Sequence, residues 1–288
     1  MNQVKKQLFT LANFNKKYPD DEACIQEIFD RKFSKLEECP VCKKPFKYYK
    51  VRDRKCYACQ YCGGQIHPLA HTIFEKSDTP IRSWFYAIFL FSVSKNGVSA
   101  MELQRQLGVT YKCAWRIANK VRTLFADDAN QLSNIVEIDE TYVGGKGKNN
   151  KRGRGAENKT PVFGMAERKG LLRAKVTLDT KRETVMPIIK EHVKMGSDIM
   201  SDEYLPYQSL SREGYKHQAI NHGQKQYVKG LVHTNTIEGF WGQLKRSING
   251  TYHMVSPKYL QEYVNEFSYR YNQRGKAQPI FSLLLERI

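Results

Sequence analysis

Two cysteine pairs constrain this chain most. Cys39-Pro-Val-Cys42 and Cys59-Gln-Tyr-Cys62 stand sixteen residues apart. At that spacing two backbone knuckles can present four thiolates to one tetrahedral ion. A four-thiolate site has no open coordination position, so its role is structural and Zn²⁺ is the expected ion. Five of the seven cysteines lie between Cys39 and Cys62, which does not suit a secreted disulfide framework. Cys56 competes as a ligand, because Cys56 and Cys59 form a third pair with the same spacing. Gly63-Gly64, directly after Cys62, is what a knuckle turn requires and favours Cys59 with Cys62. Val51 to Tyr57 and Gln65 to Phe74 are the expected strands of a zinc ribbon spanning residues 36–78.

The flanking segments are helical. Residues 1–35 carry an apolar stripe at Ile25, Ile28 and Phe29, with Asp20 or Asp21 as a cap. Over residues 79–130, Pro80 opens a helix whose buried face is Trp84, Phe85, Ile88, Phe89 and Val93. Ser99 then caps Ala100 to Leu107, Gly108 turns the chain, and Tyr111 to Phe125 comes next. Two helices about a short glycine turn, the second bearing Lys112, Arg116, Lys120 and Arg122, fit a helix-turn-helix module or a plain helix pair with a solvated basic face.

The net charge of +18 across 288 residues suits a polyanionic partner, since each neutralised phosphate releases condensed counterions, with ribosomal-type packaging or a merely soluble basic surface as the alternatives. Charge alone does not separate DNA from RNA. A hydrophobic content of 41% argues for folded protein. The longest apolar run, Trp84 to Phe91, is too short to span a bilayer. Met1 to Thr10 does not read as a targeting leader, so a cytoplasmic protein without membrane association is expected.

From residue 131 the pattern becomes α/β. Ile135 to Asp139 alternates as a strand, with Glu137 and Asp139 on one face and Val136 and Ile138 on the other. Gly144 to Thr160 is glycine-rich and basic, either a loop suited to a nucleic-acid backbone or a disordered solvated one. Pro161 to Glu167 and Leu171 to Leu178 read as strands, Thr184 to Val193 as a helix, and Ser197 to Ser201 as a strand closed by Asp202. His217 to Ile220 is a further short strand. Thr236 to Ile248 is a helix with Ile237, Phe240, Trp241, Leu244 and Ile248 on its apolar face. Lys258 to Tyr271 and Ile280 to Ile288 complete the chain, and Tyr269 to Arg274 mixes aromatic and basic groups suited to lining DNA. This order of elements is that of a ribonuclease H-like domain over residues 131–288. The whole is thus a multidomain α/β chain, with a zinc ribbon and a helical module ahead of the catalytic domain.

The chemistry resides in Asp139, Asp202, Glu238 and Lys245. Taken singly, each has an ordinary explanation: strand-end turns for the aspartates, and a capping box of Asn235 with Glu238. Taken together, two strand-end aspartates and a helix glutamate can hold a pair of hard divalent cations, Mg²⁺ or Mn²⁺. Lys245, seven residues after Glu238, projects from nearly the same helix face and can grip a phosphate.

Several stretches carry a resemblance: the cysteine module with Gly63-Gly-Gln-Ile and Thr72-Ile-Phe, Ile138-Asp139-Glu-Thr-Tyr-Val-Gly-Gly-Lys146, Ser201-Asp202, and His233-Thr-Asn-Thr-Ile-Glu-Gly-Phe-Trp-Gly-Gln-Leu-Lys-Arg246 with Gly250-Thr-Tyr-His253. They resemble prokaryotic insertion-sequence transposases of the ISXO-like group. The resemblance implies Asp139 and Asp202 as metal-binding aspartates and Lys245 as the associated basic residue. Members vary at the third ligand, and Asn235 stands beside Glu238 for that place; the spacing to Lys245 favours Glu238. Cys56, an extra thiol, and His71, where glycine is expected, depart from the pattern. The resemblance further implies a transposase that binds terminal inverted repeats, cleaves 3′ ends and transfers them to target DNA. It would act as a homo-oligomer on double-stranded DNA in the prokaryotic nucleoid. The alternatives are a DNA-binding regulator with an inactive catalytic domain, or a nuclease without joining activity.

Overall fold

The computed structural model describes residues 8–126, 130–144, 159–202, 207, 209–220 and 233–288. These divide into two compact units, one of residues 1–94, 98–124 and 275–288, the other of residues 95–97 and 125–274. Among the described residues no helix is long and apolar enough to cross a membrane. The basic stretch from Gly144 to Thr160 lies mostly outside the described residues.

The first unit opens with α1 (Leu11–Lys17) and α2 (Asp21–Phe33), the latter capped by the Asp20 carboxylate on the Ala23 N–H. A small antiparallel sheet comes next, β1 (Tyr48–Lys50), β2 (Tyr57–Cys59) and β3 (Gln65–Ile66). The expected strand Val51–Tyr57 is instead the turn between β1 and β2 up to its last residue, and the one expected at Gln65–Phe74 ends at Ile66. Between β1 and β2 the chain reverses, with Asp53 at φ 57° and the Val51 N–H donating to the Cys56 carbonyl. After β3, Pro68 has no N–H to give a ladder, and Ala70 and Thr72 form turns instead. The sheet rests on α2: Phe29 stacks on Tyr57 at 3.9 Å, and Lys32 reaches the carbonyls of Pro68 and Ala70.

Three helices complete the central part of this unit, α3 (Ile81–Val93), α4 (Ala100–Leu107) and α5 (Tyr111–Thr123). Ser99 and Thr110 cap α4 and α5 through hydroxyls on the N–H groups of Glu102 and Cys113. Gly108 closes α4 in the left-handed region at φ 64°, as glycine does at helix ends. On α5, Tyr111, Lys112 and Arg116 are exposed. Arg122 is not part of that basic face. It is 2% exposed, donates to the Val98 carbonyl and lies over the Phe91 ring, so its charge is spent inside the protein.

The second unit is a five-stranded sheet, β4 (Ile135–Val143), β5 (Thr160–Glu167), β6 (Leu172–Val176), β7 (Asp198–Asp202) and β8 (Lys216–Ile220), with α6 (Arg182–His192) between β6 and β7. Strand order is β6-β5-β4-β7-β8. The first three pair antiparallel as a meander, and β7 and β8 add in parallel, which needs the α6 crossover. Alternation on β4 splits the core in two. Val136 and Ile138 join Phe163, Val185, Ile189 and Ile199 on the α6 side. The other face is covered by α7 (Asn235–Ser247) and α8 (Leu260–Asn272), through Ile237, Phe240, Trp241, Leu244, Val264 and Phe267.

The outer edge of β6 is closed by side-chain amides of α8. Gln261 accepts from the Val176 N–H and donates to the Ala174 carbonyl, and Asn272 pairs with both backbone groups of Leu172. Covering an edge in this way removes a template for strand addition. Of the aromatic and basic run expected to line DNA, Tyr269 and Arg270 are buried. Arg270 is ion-paired with Glu266 at 2.7 Å, because both fall on the inner stripe of α8. The last helix, α9 (Ile280–Leu285), belongs to the first unit rather than with the segment from residue 131 onward. Phe281 supplies the reason, packing against Phe9, Phe14, Tyr18, Phe85 and Phe89.

Candidate metal centres and the carboxylate site

The sulfurs of Cys39, Cys42, Cys59 and Cys62 all lie within 4.8 Å of one another, with Cys39–Cys62 and Cys42–Cys59 each at 3.8 Å. A tetrahedral ion with metal–sulfur bonds of about 2.3 Å requires sulfurs about 3.8 Å apart, so the donor set fits zinc. Two knuckles with one backbone pattern produce it. Cys39 N–H donates to the Lys44 carbonyl and Lys43 N–H to the Cys39 carbonyl; Cys59 with Gly64, and Gly63 with Cys59, repeat this. The fifth residue of each knuckle is left-handed, Lys43 at φ 59° and Gly63 at φ 71°. Backbone N–H groups of Tyr61 and Gly64 point at the Cys59 and Cys62 sulfurs. The Tyr48 hydroxyl, 3.1 Å from the Cys39 sulfur, is the main influence drawing that thiol down to about 6, in the direction a thiolate ligand needs. Cys56 is outside the group, its sulfur turned toward Gln65 Oε1 at 3.7 Å.

The second site is built on β4 and β7. Their parallel register pairs Glu137 with Met200; continued by two residues, it sets Asp139 beside Asp202, the last residue of β7. Asp139 is half-buried. Its carboxyl is pushed up to about 7, first by burial and then by the charges of Glu140 and Asp202. A cation between the aspartates would offset that crowding.

Helix α7 lies along β4 in the same direction. The Trp241 indole N–H donates to Asp139 Oδ2 at 3.0 Å. Gly164, opposite Asp139 in the ladder, makes room for this, because a Cβ there would overlap the Trp241 ring. Lys245, one turn beyond Trp241, has its ammonium lowered by desolvation, and the Asp139 charge opposes the shift. Glu238, one turn before Trp241, is exposed and accepts from the Thr234 hydroxyl at 2.6 Å. Glu238 and Lys245 project about 20° apart around an ideal helix, and Asn235 roughly 60° further from the core. Asn235 is the first residue of α7 and exposed; the capping residue is Thr234, not Asn235, and it makes no side-chain cap.

The cap comes instead from β4. Glu137, fully buried, accepts from the N–H groups of Thr236 at 2.7 Å and Ile237 at 3.2 Å through Oε2. Its Oε1 takes the Thr236 hydroxyl at 2.9 Å and Arg168 Nε at 2.7 Å, with His233 Nδ1 at 3.2 Å. Arg168 also holds the His233 carbonyl. A carboxylate at a helix N-terminus satisfies orphan donors and complements the helix dipole. Glu137 thus anchors α7 two residues from Asp139 and sets which helix face overhangs it. Sequence alternation places Glu137 on the Asp139 face, but nothing local links it to Thr236, ninety-nine residues later. Glu137→Gln keeps the shape and removes the charge. It should cost about 1–3 kcal/mol, and amide exchange should deprotect Thr236 and Ile237 before the rest of α7. Unchanged protection at those two amides would remove Glu137 from this role.

Residues 131–272 match the model of the ISXO2-like transposase domain. Over 253 residues the chain is 26% identical to an uncharacterized protein in transposable element ISH50 of Halobacterium salinarum, covering 81% of this chain and 84% of that one. A shorter alignment of 97 residues, 27% identical, covers 34% of this chain and 77% of an uncharacterized transposase-like protein of Haemophilus influenzae. With two neighbouring strand aspartates, a helix laid over one of them and this match across the whole sheet unit, residues 131–272 form an ISXO2-like transposase domain of the insertion-sequence kind.

Proposed function

We propose that the protein binds the terminal inverted repeats of its element, cleaves their 3′ ends and joins them to target DNA in a divalent-metal-dependent reaction. The observation that carries this reading is the placing of Asp139 beside Asp202 on adjacent parallel strands, with Trp241 and Lys245 of α7 over Asp139. The strand order, three antiparallel and two parallel, supports a ribonuclease H-like fold. The paired knuckles support a zinc ribbon.

Asp139, Asp202 and Glu238 are the residues that would hold Mg²⁺ or Mn²⁺, since carboxylate oxygens suit hard cations. When bound, two such ions would activate the attacking oxygen and neutralise the leaving one. The protein's own groups do the positioning. Trp241 fixes the Asp139 carboxylate by its N–H and keeps water from one side of it. Lys245 offers an ammonium to a phosphate oxygen next to the scissile bond. The zinc ribbon and the α4–α5 pair, with Tyr111, Lys112 and Arg116 outward, bind the ends, and the positive charge draws the DNA in.

The test is Mg²⁺-dependent cleavage of a duplex carrying the element's ends, by wild type, Glu238→Gln and Asn235→Ala. Loss with Glu238→Gln alone is the expected result. Loss with Asn235→Ala alone would move the third ligand to Asn235. Tight binding without cleavage by wild type would favour a DNA-binding regulator, and cleavage without joining of precut ends a nuclease.

A further inference from the structure

Past Lys245, α7 does not end in an ordinary cap. It continues into a π-helical turn, Ile248–Tyr252, a feature that gathers at functional sites. His253 then adopts φ 60° and ψ −44°, and the Met254 N–H donates to the Tyr252 carbonyl at 2.7 Å. That is a γ-turn of the rare, strained kind, on a non-glycine residue. A cavity of about 360 Å³ opens there, lined by Val143, Ile248, Asn249, His253, Met254 and Val255 and floored by Gly144. Its volume lies in the range of small-ligand pockets. His253 is braced by Nδ1 against the Asn249 carbonyl at 3.0 Å, and Met254 is 76% exposed, free to lie against a bound ligand.

The position of the cavity bears on what it could hold. β4 and α7 run side by side in one direction, so Asp139, then Lys245, then the cavity form a line. From Asp139 to Val143 is four residues of strand, about 13 Å. Stacked nucleotides advance about 3.4 Å each and unstacked ones further. A strand with its phosphate at Asp139 and the next at Lys245 would reach the cavity roughly two to four nucleotides on.

We propose that this cavity receives one unpaired nucleobase of the DNA end, taken out of its stack and held between the His253 imidazole and the Met254 thioether. A flat, weakly polar ligand suits apolar walls with an imidazole and an amide at the rim, since an extruded base is held by stacking between aromatic and apolar side chains and by hydrogen bonds to its edge. The proposal rests on the DNA chemistry assigned to Asp139, and its test reads the two separately.

Terminal duplexes carry 2-aminopurine singly at each of the first few positions on either side of the cut. Fluorescence is read on bound, uncut ends in Ca²⁺, and cleavage on the same duplexes in Mg²⁺. Wild type should brighten one position several-fold, and Asn249→Trp, which fills the cavity from an exposed position, should abolish the rise. Met254→Ala, at a surface where folding is not at stake, should reduce it. An abasic nucleotide at that position should bring Asn249→Trp cleavage back to the wild-type level on the same substrate. Stacked-level fluorescence at every position with wild type that cleaves would overturn the pocket and leave the carboxylate site standing. Brightening without cleavage would support the pocket and remove the catalytic reading.

Discussion

Asp202→Asn should lower metal-dependent cleavage of terminal DNA by at least about a thousandfold, with binding to the same DNA unchanged or slightly tighter. Metal ions at a phosphoryl centre supply several kcal/mol of charge stabilisation, and each 1.36 kcal/mol is about tenfold in rate. Asp202 ends β7 beside Asp139, whose carboxyl it helps push up to about 7. Asparagine preserves the shape and the strand while removing the charge that balances a cation. Binding should survive because the proposed DNA-binding surfaces lie on other residues and respond to salt rather than to this carboxylate. Cleavage by the variant at more than about a tenth of the wild-type rate would take Asp202 out of the site.

Cys39→Ser should release the zinc and unfold the small three-stranded sheet while the β4–β8 sheet unit persists. Structural zinc contributes about 10–16 kcal/mol of apparent binding free energy. A sheet with strands of only two and three residues has little else to hold it. The measurement is metal content by mass spectrometry together with limited proteolysis across residues 36–66. Cys56→Ser is the paired control and should keep its metal, since the Cys56 sulfur faces Gln65. Zinc retained by Cys39→Ser, or lost from Cys56→Ser, would overturn the ligand set.

The features legible in advance share one property: local spacing determines them. Cys39 with Cys42 and Cys59 with Cys62 close knuckles of one local backbone pattern, and Gly63-Gly64 distinguishes the second from the equally spaced Cys56–Cys59 pair. The alternation of Ile135 to Asp139 assigns its two faces, and the three-to-four spacing of Ile237, Phe240, Trp241 and Leu244 turns α7 toward the sheet. Where expectation and structure part, a distant partner decides. Arg122 has the sequence context of a DNA-facing residue, and only the presence of Phe91 and the Val98 carbonyl shows it buried. Tyr269 and Arg270 sit in a run that looks polar, yet the inner stripe of α8 takes them, with Glu266 as counter-charge.

By itself, the sequence determined the thiolate set, the order of strands and helices from residue 131 onward, and the Asp139, Asp202, Glu238 and Lys245 constellation as a hypothesis of chemistry. Periodicity and spacing are written within a few residues of chain. The tertiary structure alone decided that Glu137 caps α7, that Gly164 admits the Trp241 ring over Asp139, and that α9 packs into the first unit. Each joins residues dozens to hundreds of positions apart, and a buried carboxylate, a missing Cβ or an aromatic side chain acquires its role only when folding sets a partner against it.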